Sequence, residues 1–128
     1  MGRYAALAQA VLPKLQREAA EKEKQEADYK AVLKKIPDTQ RAMDSVVAYI
    51  ISVNYKDFPN AVELVQDGFN QLSMTKGLKA KHEGWAAMKD WGNANLVAEQ
   101  IFQYQLRAMD PLLRAKSYLE QNGAKKVK

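Results

Sequence analysis

The stretch from Lys14 to Lys35, KLQREAAEKEKQEADYKAVLKK, is built to be helical and has almost nothing with which to pack. Between Leu15 and Tyr29 there is no large apolar side chain. Ala, Glu, Lys, Gln and Arg fill nearly all of it, and these are the strongest helix formers. A helix without an apolar stripe cannot bury a face in its own domain. It must lie in solvent or against something polar outside its own subunit. Its charges repeat at helical spacing, Lys14 with Glu18, Arg17 with Glu21, Glu18 with Lys22 and Glu26 with Lys30. Each such pair adds about 0.2–0.5 kcal/mol, enough together to let the helix persist in water.

The remainder reads as amphipathic helices. Tyr4 to Leu12 is a short apolar helix candidate, and Pro13 kinks the chain or starts a new helix. The apolar run Ala5 to Leu12 is short and followed directly by charge, unlike a secretion signal. Ile36-Pro37-Asp38 is expected to break the chain, because a residue before proline avoids helical backbone and Asp38 can cap the next helix. From Thr39 to Asn54, Met43, Val46, Val47, Ile50 and Ile51 recur at the spacing of one helix face. Asp57-Phe58-Pro59 opens a helix carrying Val62, Val65, Phe69 and Leu72, with Gly77 as its stop. Leu78 to Trp91 forms a shorter helix. The last begins at Asn93 or Asn95 and carries Leu96, Val97, Ile101, Phe102, Leu106 and Met109, with a kink or restart at Pro111. The tail from Ala124 to Lys128 is basic and expected to be loose. No period-two strand pattern is present. The expected architecture is all-α: an N-terminal extended helical arm over 1–36, a four- to five-helix bundle over 37–123 and a basic tail over 124–128.

Composition limits the chemistry. The absence of cysteine removes disulfides, thiol nucleophiles and zinc–thiolate sites. The one histidine, His82, sits next to Glu83, and adjacent helical residues do not face one another, so a surface histidine is the plainer reading. No phosphate-cradling glycine loop, nucleophile elbow or metal-ligand spacing occurs. These residues suggest neither an enzyme nor a resident cofactor, metal or small-molecule substrate. Tyr4 beside Arg3 and Tyr29 beside Lys30 fit the pattern of rings stacking on bases, although core packing is the commoner fate of such aromatics.

The net charge is +5, and residues 1–75 are balanced, so the whole excess lies in 76–128. A basic surface favours polyanions. The candidate cations fall into groups. Lys76, Lys79 and Lys81 open one helix; Arg107, Arg114 and Lys116 lie on the last. In the arm, Arg3, Lys14, Arg17, Lys24 and Lys35 would fall within about 80° of one another on a continuous helix, although Glu21 and Asp28 share that sector. Phosphate contacts require charge and reach alone, and no base-reading motif is present.

This layout, a helical arm broken at Pro13 and Pro37 ahead of a helical bundle, resembles that of the major coat proteins of filamentous archaeal viruses, which are small, all-helical and cysteine-poor. The resemblance covers the chain from end to end. It implies that paired arms wrap linear double-stranded DNA and hold it in A form, with the bundles packed outside. Carried onto this sequence, it directs Arg3, Lys14, Arg17, Lys24, Lys30, Lys34 and Lys35 toward phosphates. It implies further copies of the chain, a paralogous coat protein and an enveloping membrane as partners, and a virion assembled in the host cytoplasm. The arm departs from a purely basic pattern in carrying Glu18, Glu21, Glu23, Glu26 and Asp28, which would face away from DNA or pair with neighbours. Two other readings fit the same residues: a helical interaction subunit of a larger assembly, such as a phage or accessory component, and a small DNA-binding regulator.

Overall fold

The computed structural model describes residues 2–127, with side chains from Lys14 to Val127. Four α-helices make up the described chain: α1 (Gly2–Ser52), α2 (Pro59–Ser73), α3 (Leu78–Ala87) and α4 (Trp91–Gln121), with a short 3-10 turn at Tyr55–Asp57. Among the described residues the one β-type pairing is an isolated bridge between Val53 and Lys126.

The break expected at Ile36-Pro37-Asp38 does not occur. α1 runs through both Pro13 and Pro37 as one helix of 51 residues, about 75 Å long. A proline inside a helix costs about 3 kcal/mol through the lost N–H and the clash with the preceding turn. Packing outweighs this cost. Tyr29 and Val32 are buried before the proline, and Met43, Val46 and Ile50 after it. Each such side chain contributes about 1.5–3 kcal/mol when fully buried. From Gln25 onward α1 lies along one partner, α4, which itself runs through Pro111 as a single helix without the restart expected there, and this partner supports α1 on both sides of Pro37. Near the proline, Gln105 of α4 donates from Nε2 to the Ile36 carbonyl at 3.3 Å and clasps the two helices together.

The contacts between α1 and α4 give their relative direction. Gln25 lies over Gly92, Lys35 over Phe102, Gln40 against Gln105, and Asn54 against Lys125. The two helices therefore run parallel. Each presents a seam at alternating three- and four-residue steps. On α1 and the residue after it the seam is Tyr29, Val32, Ile36, Thr39, Met43, Val46, Ile50 and Val53; on α4 it is Ala94, Ala98, Ile101, Gln105, Ala108, Leu112, Ala115 and Leu119. This is the spacing of a left-handed coiled coil. The other helices also pack against α4. Its four seam alanines have no exposed surface, and their small size lets the neighbouring helices approach. α2 does so at a glycine: an added Cβ at Gly68 would stand 2.6 Å from Leu112 Cγ.

Several smaller expectations change. Leu96 and Leu106, assigned to the buried stripe of the last helix, are exposed. Trp85 and Trp91 belong to different helices, because the chain turns at Met88–Asp90 and the Asp90 side chain caps α4 at Asn93 N. The basic tail is tied down along the C-terminal end of α1, with Asn54 N donating to the Lys125 carbonyl at 2.9 Å and Val127 N to the Ser52 carbonyl at 2.9 Å. It thereby supplies donors and cations where a helix presents unsatisfied carbonyls.

Candidate nucleic-acid interface

α1 leaves the body at Gln25, which is half-buried over Gly92 at the start of α4. From Lys14 to Lys24 every residue is exposed. The expected arm over 1–36 is therefore shorter than the polar sequence suggested. Its end, Tyr29 to Ile36, belongs to the body.

The base of the arm is built around Tyr29, which is 5 % exposed and so unable to stack on a base. Its ring lies 5.9 Å from Trp91 and 5.7 Å from His82, and its hydroxyl meets His82 Nδ1 at 2.8 Å. Val32, Ala94 and Ala98 complete this second apolar cluster, with Trp85 and Phe102 packed against it. His82, expected on the surface, is 6 % exposed. Burial pushes its pKa below the ordinary histidine value, with Glu83 opposing and Lys79 reinforcing the shift. Burial and the nearby Glu83 push the Tyr29 hydroxyl up. With the ring neutral and its proton on Nε2, the Tyr29 hydroxyl donates to Nδ1.

This arrangement predicts a pH dependence. The unfolded chain takes up a proton near pH 6.5, and the folded chain does so only at lower pH, so stability rises with pH across that interval. The contribution is complete above about pH 6.5 and is lost as pH falls through the folded value. Thermal melts between about pH 7.5 and 5.5, above the main carboxylate range, should show a falling melting temperature. That slope should flatten in His82→Gln.

The candidate cations do not form one surface. Side chains of the first thirteen residues, Arg3 included, lie outside those described. Lys14, Arg17 and Lys24 are exposed along the arm. At 100° per residue they share a sector with Lys35, alongside the core seam of the same helix, while Lys30 and Lys34 point about 120–160° away from its centre. Lys30 pairs with Glu26 at 3.1 Å, and Lys35 lies 5.6 Å over the Phe102 ring. Lys76, Lys79 and Lys81 are exposed around the turn into α3. On α4, Arg107 stacks 5.5 Å over Tyr104, Arg114 pairs with Asp110 at 3.3 Å, and Lys116 lies 5.5 Å over Tyr49 and 3.9 Å from Glu120. The backbone of Lys125 and Lys126 is held at the far end of α1, about 45 Å from Lys24. The geometry thus brings Lys14, Arg17, Lys24 and Lys35 onto one side and separates the others from them.

Sequence reasoning missed the buried pair Tyr29–His82 and the polar seam residue Gln105. A Tyr at a three-four step before Val32 and Ile36 was the available signal for the first. Among the described residues no group of three His, Asp or Glu side chains could hold a metal ion, and no helix is long and apolar enough to cross a membrane.

Fold and site together define an all-helical body from which one of its own core helices projects as a polar, mixed-charge rod. Compared with known protein families, characterised proteins and solved structures, the chain matches none of them.

Proposed function

We propose that this protein is a structural virion coat protein that packs along linear double-stranded DNA, grips its phosphates without reading sequence, and assembles with further copies into a helical filament. The observation that carries this reading is the exposed rod from Lys14 to Lys24, continuous with a helix locked into the body. A rod of this kind transmits a rigid orientation from the body to whatever it grips. Lys14, Arg17 and Lys24 share one side of it, and Arg3 falls in the same sector by spacing. The acids at Glu18 and Glu23 lie outside that sector, whereas Glu21 falls within it and lowers its charge. Self-assembly has surface to use on α4, where Leu96, Leu106 and Leu113 are exposed. An A-form duplex, a paralogous coat partner, a surrounding membrane and assembly in a host cytoplasm belong to the same proposal and rest on the resemblance of layout alone, of which the helical arm and the helical body remain while the proline breaks do not.

Fluorescence anisotropy with random-sequence duplexes tests it. Four phosphate contacts per subunit give a slope of about −3 to −4 in log affinity against log salt. Affinity then falls about a hundredfold between about 50 and 200 mM salt. Unrelated sequences should bind alike. Indifference to duplex DNA at the lowest salt defeats the proposal.

A second reading is favoured by one observation: Leu15 is 52 % exposed within the arm. A helical interaction subunit would lay that residue against a partner protein. Removing the arm would then abolish the protein complex and leave any DNA binding unchanged.

A further inference from the structure

The seam face of α1 continues past the end of the helix that covers it. Counted back from Tyr29 at the same three- and four-residue steps, the seam passes through Gln25, Lys22 and Glu18 to Leu15, and by spacing on to Val11, Ala8 and Tyr4. Its partner α4 begins at Trp91, with Gly92 under Gln25. Lys14 to Lys24, Leu15 included, are exposed.

α4 repeats the spacing on its outer side. Leu96, Glu99, Gln103, Leu106, Asp110 and Leu113 follow one another at three- and four-residue steps, about 130° around the helix from the Gln105 seam. The three leucines are exposed. Hollows of about 300 and 450 Å³ lie beside Leu96 and Leu113. Single surface leucines need no explanation, whereas leucines aligned at coiled-coil spacing form a face that can take another helix.

Charge selects how the two faces fit. Three alignments place Leu15 opposite a leucine at matching seam positions. A parallel one, on Leu96, sets Glu18 against Glu99. An antiparallel one, on Leu113, sets Glu18 against Asp110. The antiparallel alignment on Leu106 sets Glu18 against Gln103 and Lys22 against Glu99, and brings Val11 level with Asp110, which Arg114 already pairs. Among the described residues neither Lys22 nor Glu99 has an ion-pair partner in its own subunit. Because α1 runs parallel to its own α4 and packs on its inner side, the antiparallel match is to α4 of another copy.

We propose that the outer face of α4 is the docking site for the arm of a second copy of this chain, antiparallel, with Leu15 on Leu106 and Lys22 on Glu99. Each copy gives its arm to one neighbour and receives the arm of another. A head-to-tail contact of this kind closes into rings or runs on into filaments. The docked side of the arm is centred about 120° around α1 from the sector of Lys14, Arg17 and Lys24, so docking leaves that sector facing outward. The inference deepens the assembly part of the coat-protein reading. Its test contains no DNA, so its failure is distinct from a failure to bind duplexes.

The chain has no cysteine, so introduced thiols report without background. Leu15→Cys and Leu106→Cys, both at exposed positions, are purified separately, mixed under mild oxidation and resolved on non-reducing gels. A disulfide needs Cα atoms within about 7 Å, so it reads the alignment directly. The mixture should give a covalent dimer at least about tenfold more abundant than either variant alone, or than Leu15→Cys mixed with Leu113→Cys, one helical heptad away. In sedimentation of the otherwise native chain, Lys22→Glu and Glu99→Lys should each weaken self-association at least about tenfold, and the two together in one chain should restore it. No covalent dimer in the mixture overturns the proposal. So does a dimer equally abundant in either variant alone or with Leu113→Cys, or a doubly reversed chain that associates no better than the single variants.

Discussion

Deletion of residues 1–24 is expected to weaken binding to duplex DNA by at least about a hundredfold at low salt while leaving the body folded. The deleted segment carries Arg3, Lys14, Arg17 and Lys24, the four cations that share a sector. With them gone, the salt dependence of any residual binding should shrink toward that of the separated body cations. The body should tolerate the loss because Lys14 to Lys24 contribute nothing to the apolar core: every one is exposed, and among the side chains described the first buried one of α1 is Tyr29. The melting temperature of the truncated chain should therefore stay close to that of the full one. Circular dichroism melts and anisotropy on the same preparations check both halves of the prediction. Undiminished DNA binding after truncation would move the interface to the body, to Lys76, Lys79 and Lys81 or to the outer face of α4.

The largest effect on stability should come from the contact between Leu112 and Gly68. Leu112 has no exposed surface and sits where α4 meets both α1 and α2. Leu112→Ala should cost about 2–5 kcal/mol, because the cavity would open opposite a glycine that has no side chain with which to fill it. Gly68→Ala alone should also destabilise, by about 1–3 kcal/mol, because the new methyl would stand 2.6 Å from Leu112 Cγ and 2.8 Å from its Cδ2, so that the fully buried Leu112 must shift. Combined, the two should be less damaging than their sum. The alanine at 68 occupies volume vacated at 112; its gain in helix propensity, about 1 kcal/mol, enters the single and double variants alike and cancels from the coupling. Urea unfolding of the four species gives the coupling directly. Strict additivity would show that the two residues do not share one packed volume.

The helical class, the seam Met43–Val46–Ile50 and the polar surface from Lys14 to Lys24 were all legible in the sequence, because each is carried by a strong local signal: apolar spacing in one case and its absence in the other. The continuation of α1 through Pro37 was not. Local backbone preference argued for a stop, and only the long partner α4 supplies the packing that overrides it. The seam of α4 is faint in the sequence for a related reason. Alanine is a weak apolar signal, so Leu96 and Leu106 stand out although they face outward, while Ala94, Ala98, Ala108 and Ala115 form the buried surface. His82 and Tyr29 are far apart in sequence, and their contact results from where α3 crosses the base of the arm. The side shared by Lys14, Arg17, Lys24 and Lys35 was legible from helical spacing once the helix was continuous. The placement of the α3, α4 and tail cations required the fold.

Electron microscopy of the full-length protein mixed with linear duplex DNA at low salt tests most directly whether the rod works outside its own subunit. The account predicts regular filaments of uniform width along the DNA, absent when residues 1–24 are removed. Bare DNA beside dispersed single subunits would contradict it.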